Sequence, residues 1–240
     1  MTVDFLIPAI TAVITLIFTA VVFYRYSHRR GTHLLIWGIG LSFYTLGVLS
    51  EAVLALTWSA FFFRMWYWAG ALVVAAWLGQ GTVFLLVRKR PWPQVTLAFV
   101  IIGSAIGLIW IFLTPLNEAA FILGESLTGQ YKAILPPGGV RLMTPFFNIY
   151  GTITLIGGAI YSAWLFWRKR ILLNRMWGNI FIALGGLSPA LGGTFARLGQ
   201  PTYLYLSELL GSILIFIGFL LATAHRPATQ KVRQPREASG

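Results

Sequence analysis

The amino-acid sequence predicts an all-α membrane protein: a bundle of seven transmembrane helices with the N-terminus outside and the C-terminus in the cytoplasm. Three observations lead there. The 240 residues are 58% hydrophobic and 10% charged, with a mean hydropathy of +0.78, a balance foreign to soluble globular domains. Seven apolar segments follow one another, each long enough at ~1.5 Å per residue to cross a hydrocarbon layer of ~30 Å. The basic residues cluster in short runs between those segments, so the net charge of +12 reflects membrane topology, not nucleic-acid binding.

The first segment covers 5–24. Met1 to Asp4 contains no basic residue and the apolar run exceeds a signal-peptide core, so it is expected to persist as a helix. Its basic flank, Arg25, His28, Arg29 and Arg30, lies on its C-terminal side and places that turn in the cytoplasm. The second segment is 34–56 and the third 62–87. In the third, Arg64, Tyr67, Ala71, Ala75 and Thr82 recur at helical spacing, giving one polar, small face for packing against other helices. The fourth, 95–113, follows a basic turn and carries the Gly103–Gly107 pair, which lets helix backbones approach closely. The fifth is 146–166, the sixth 176–195 and the seventh 203–224. In the sixth, Asn179, Ala183, Gly186, Ala190, Gly193 and Arg197 form a small face with a polar group at each end. Pro189 is expected to kink this helix and free a carbonyl.

Charge supports the layout. The expected cytoplasmic side holds 14 of the 18 Lys and Arg residues, leaving Arg64, Lys132, Arg141 and Arg197 elsewhere. Two stretches are not spans. The outer loop 115–142 contains Glu118, Glu125, Lys132 and a Pro136–Gly139 turn, and loops of that length serve as lids or binding loops or are disordered. The domain ends at 225, and the basic tail 226–240 is expected to be disordered in the cytoplasm.

Polar groups at membrane depth carry the chemistry, because a charge inside a span costs about 2.5–3.5 kcal/mol on insertion scales. Glu51, Arg64, Asn148, Arg197 and Glu208, on helices 2, 3, 5, 6 and 7, are all expected in the outer third of the bilayer, with Tyr67 beside Arg64 on helix 3. Two readings stay open. They line an outward-facing, partly hydrated ligand cavity, or Arg64–Glu51 and Arg197–Glu208 are salt bridges that fix the packing.

Several functions are disfavoured. There is no cysteine, which removes disulfides, thiolate metal sites and cysteine nucleophiles. The four lysines, Lys89, Lys132, Lys169 and Lys231, lie in loops or the tail, so no retinal Schiff base is expected. The histidines, His28, His33 and His225, lie at the cytoplasmic boundary and suit neither a haem nor a metal site, so no cofactor and no metal are expected. No hydrolase or nucleotide-binding motif occurs, and nothing in the pattern supports an enzyme.

The order Trp37, Gly47, Glu51, Arg64, Tyr67, Gly70, Ala75 and Trp77 resembles helices 2 and 3 of the seven-transmembrane sensor regions that precede histidine-kinase or cyclase domains in bacterial signalling proteins. The resemblance implies perception of a small or membrane-soluble ligand in a bacterial inner (plasma) membrane. No output domain follows the seventh helix, so signalling is expected to pass through a separate partner. The expectation is therefore a multi-pass sensor or receptor-like protein whose outward polar cavity binds a small or lipophilic ligand. Its partners would be the bilayer, a membrane or cytoplasmic protein and a possible second copy, with no nucleic acid. The alternatives are a small-solute or lipid transporter, or a structural subunit of a membrane complex.

Overall fold

The computed structural model describes residues 3–170, 172–197 and 202–224, and among them every regular element is helical. They are α1 (Val3–Arg29), α2 (Thr32–Leu54), α3 (Ala60–Leu86), α4 (Trp92–Leu113), α5 (Leu127–Ile134), α6 (Gly139–Arg168), α7 (Leu173–Arg197) and α8 (Thr202–Thr223). A short 3₁₀ turn, Glu118–Ala120, precedes α5. Two helices change pitch. In α3 the stretch Trp66–Val73 is π-helical, and in α6, which starts with a 3₁₀ turn at Gly139–Leu142, so is Thr152–Gly157.

Among the described residues, six helices are long and apolar enough to cross a membrane: Phe5–Arg29, Thr32–Leu54, Ala60–Leu86, Trp92–Leu113, Gly139–Arg168 and Tyr203–Thr223. The protein is thus an all-α, multi-pass membrane bundle. The expected sixth segment is also a helix, α7, of 25 residues, but it is not among those six. Its Asn174, Arg175, Asn179, Thr194 and Arg197 dilute the apolar run at both ends. The tail 226–240 lies outside the described residues.

Neighbouring helices close a ring. α1 packs on α2 and α8, α2 on α3, α3 on α6, α6 on α7, and α7 on α8, while α4 lies outside the ring against α3. The ring encloses a core of Phe18, Val22, Leu41, Leu78, Leu155, Ile182 and Phe219. A second, aromatic core sits at the loop end, where Phe63, Trp66, Trp68, Leu72, Ile111, Leu127, Leu135 and Phe147 pack together. The outward faces of α1, α4 and α6 expose Ile10, Leu16, Phe99, Ile102, Ile109, Ile149 and Ile153, as a bilayer-facing surface does.

Small residues set how closely the helices approach, since lipid-embedded helices associate through packing and not through water exclusion. A Cβ on Gly47 of α2 would lie 2.6 Å from the Gly70 Cα of α3. Along α7, glycines every seventh residue meet α8. A Cβ on Gly178 would lie 2.5 Å from the Ala222 nitrogen and one on Gly185 would lie 2.7 Å from the Gly211 carbonyl oxygen, with Gly192 against Leu204 and Ser207. A seven-residue repeat keeps one stripe facing its partner along a gently coiled pair. Gly186, from the face singled out in the sequence, points instead at Leu155 and Ile156 of α6, and among the described residues no neighbouring helix comes within 4 Å of a Cβ built on Gly193. Pro189 lies within continuous α7, beside Gly211 of α8.

Candidate functional site

The loop 115–142 folds into a cap. Ser126 begins α5, its hydroxyl accepting from the Gly129 amide at 3.1 Å. The buried Gln130 side chain then ties the preceding turn, accepting from the Ile122 amide at 2.8 Å and donating to the Glu125 carbonyl at 2.9 Å. Trp58, before α3, donates its indole N–H to Glu118 at 2.7 Å and packs its ring against Phe63 and Phe121. Gly138 and Gly139 take φ of +85° and +53°, where a side chain would strain the backbone, and the chain reverses there into α6.

Beneath the cap lies a cleft of about 560 Å³. Tyr67 of α3, Tyr131 of α5, and Arg141, Thr144, Asn148 and Thr152 of α6 supply its polar wall, and Leu142, Ile149 and Ile153 its apolar wall. The Tyr67 and Thr144 hydroxyls are hydrogen-bonded at 2.9 Å. The Arg141 guanidinium lies 5.5 Å from the Tyr131 ring centroid and donates to the Leu135 carbonyl at 3.1 Å. Asn148 donates its amide to the Ala71 carbonyl at 3.2 Å. Ala71 belongs to the π-helical turn of α3, where the change of hydrogen-bond step disturbs regular carbonyl pairing. Both π segments border the cleft, through Tyr67 in one and Thr152 and Ile153 in the other.

The structure distributes the six residues singled out in the sequence over several places. Tyr67 and Asn148 line the cleft. Arg64 caps the C-terminus of α4, donating through Nε to the Ile111 carbonyl at 3.2 Å and through Nη2 to the Thr114 carbonyl at 3.3 Å. A cation suits that end of a helix, where carbonyls lack intrahelical donors. Glu51 is buried on α2 and Glu208 half-buried on α8. The Tyr44 hydroxyl donates to the Glu208 main-chain carbonyl at 3.0 Å, joining α2 to α8. The side chain of Arg197 lies outside the described residues.

Two features were not singled out in the sequence. Arg141 and Tyr131 lie in a loop whose path depends on the Gln130 bonds, so their place in the cleft had no local signal. Thr11, Thr15 and Thr19 form a buried stripe on α1, each donating to its own helix, and Thr19 lies 3.4 Å from the Thr45 hydroxyl of α2. Their four-residue spacing was a usable signal. Farther from the cap, fully buried Gln80 donates to the Pro93 carbonyl at 2.8 Å and accepts from the Tyr150 hydroxyl, linking α3, α4 and α6. Nearby, Trp68 and Trp77 donate to the Ser104 carbonyl and hydroxyl of α4 at 2.9 and 3.0 Å.

Comparison of the chain with protein-family models, with curated proteins and with solved structures gave no match.

Proposed function

We propose that this protein is a seven-helix membrane sensor, N-terminus outside and C-terminus in the cytoplasm of a bacterial inner membrane, whose capped cleft binds a small or lipophilic ligand. The observation that carries the reading is the placement of the cleft against both π-helical segments. Such segments occur often at functional sites and differ from an α-helix by one residue of register. A ligand that draws the Asn148 amide from the Ala71 carbonyl would favour a different register of α3. The rotation would be felt at Trp77 and Gln80 farther along the same helix. A protein bound at the inner turns would read that change.

The seventh crossing is supported by α7 lying along α8 from Gly178 to Gly192, so a membrane-crossing α8 has α7 beside it. The orientation rests on the basic runs at 25–30, 88–90 and 168–170, all at the end away from the cap. The kinship with seven-transmembrane sensor modules remains a likeness of residues in α2 and α3. Native mass spectrometry of the gently purified protein tests the proposal. A stoichiometric ligand is expected, depleted in Asn148→Ala, and its addition should alter hydrogen exchange in the turns at 25–33 and 87–91. A bare protein that moves a solute across proteoliposomes, or one that arrives locked to another subunit, would overturn it.

A further inference from the structure

The make-up of the cleft identifies the class of ligand. Arg141 is the one charged side chain among the described residues that line it. Among the described residues its guanidinium donates to the Leu135 carbonyl and meets the Tyr131 ring, whereas a guanidinium has five N–H donors. The hydroxyls of Tyr67 and Thr144 lie on the same wall. From there the apolar wall runs down α6 through Ile149 and Ile153, which are 59% and 66% exposed and continuous with the lipid-facing surface. The twelve residue steps from Arg141 to Ile153 rise about 18 Å at ~1.5 Å each. One leaflet holds about 15 Å of hydrocarbon, half of the ~30 Å core.

We infer that the cleft takes an anionic lipid from the leaflet at the cap end, its headgroup on Arg141 and one acyl chain along Ile149 and Ile153. This rests on the reading of the cleft as a ligand site. Charge, hydroxyls and apolar wall follow one another in the order of a phospholipid's own parts.

Delipidated protein in neutral detergent, titrated with phosphatidylglycerol and with phosphatidylcholine and read by native mass spectrometry, tests it. Phosphatidylglycerol should bind about fivefold more tightly, the scale of one basic residue at an anionic headgroup. Arg141→Gln should level the two lipids, Arg141→Lys should keep most of the preference, and Ile149→Trp, narrowing the groove, should weaken both. Retention of the preference in Arg141→Gln would overturn the inference. Equal binding of the two lipids by the unaltered protein, with both weakened in Ile149→Trp, would overturn the anionic preference and leave the cleft as a ligand site. Lipid binding that no variant alters would overturn both.

Discussion

Replacing Gln80 with leucine tests whether the polar link among α3, α4 and α6 holds the bundle together. The substitution nearly conserves volume at a fully buried position and removes two hydrogen bonds, to the Pro93 carbonyl and from the Tyr150 hydroxyl. Interhelical hydrogen bonds in membrane proteins are worth about 0.6 kcal/mol on average and about 1.7 at most, which brackets the loss at about 1.2–3.4 kcal/mol. The lower half of that range is expected. The Pro93 carbonyl keeps the Thr96 hydroxyl at 3.2 Å, so that acceptor is not left bare. Reversible unfolding in mixed micelles measures the loss, and a cycle with Tyr150→Phe isolates the Gln80–Tyr150 bond. Tyr150→Phe should cost about 0.6–1.7 kcal/mol less in the Gln80→Leu background than in the unaltered protein. If the two substitutions add to within about 0.3 kcal/mol, the bond contributes nothing and the reasoning fails.

Three further outcomes follow from the surroundings of single helix positions. Gly47→Val should push α2 from α3, because even its Cβ would lie 2.6 Å from the Gly70 Cα, and should destabilise by about 1–3 kcal/mol in the same assay. Gly193→Ala, which meets open space, should cost nothing measurable. Arg64→Ala should remove two bonds to the end of α4 and lower the melting temperature while Glu51 and Glu208 keep their places. If its effect on stability is matched by and not additive with that of Glu51→Gln, a direct Arg64–Glu51 coupling replaces the capping account.

The spans were legible because each is an apolar run bounded by charge or glycine, and bilayer thickness sets its length. Expected limits of 34–56, 62–87 and 203–224 meet helices Thr32–Leu54, Ala60–Leu86 and Tyr203–Thr223. The rotation of each helix about its axis was less legible. Gly178, Gly185 and Gly192 run one residue ahead of the Asn179, Gly186 and Gly193 register, and one residue turns the face by about 100°. Both registers are small, so spacing alone could not say which meets α8. Arg64 and Glu51 share a depth and carry opposite charges, which suggests a pair. The guanidinium nonetheless reaches the Ile111 and Thr114 carbonyls, acceptors invisible to a search for side-chain charges. The π turns had no signal, since no residue pattern distinguishes WYWAGALV from an ordinary apolar helix.

What joins these features is α3. It presents Tyr67 to the cleft, takes the Asn148 amide on Ala71, seats Gly70 against α2 and carries Gln80 to α4 and α6. Every one of these contacts depends on its rotation. A helix with one π turn cannot lose that turn without rotating the residues beyond it by about 100° relative to those before it. The Trp68 and Trp77 bonds to Ser104 straddle the end of the π segment, one before Val73 and one after. They hold a single register only while both reach the same serine. Ser104→Ala removes the hydroxyl that Trp77 uses and leaves the carbonyl that Trp68 uses. The π turn is thereby released on one side, and amide exchange should rise from Val74 onward and not before Trp66. Uniform exchange along α3 in that variant would mean that the register is held elsewhere.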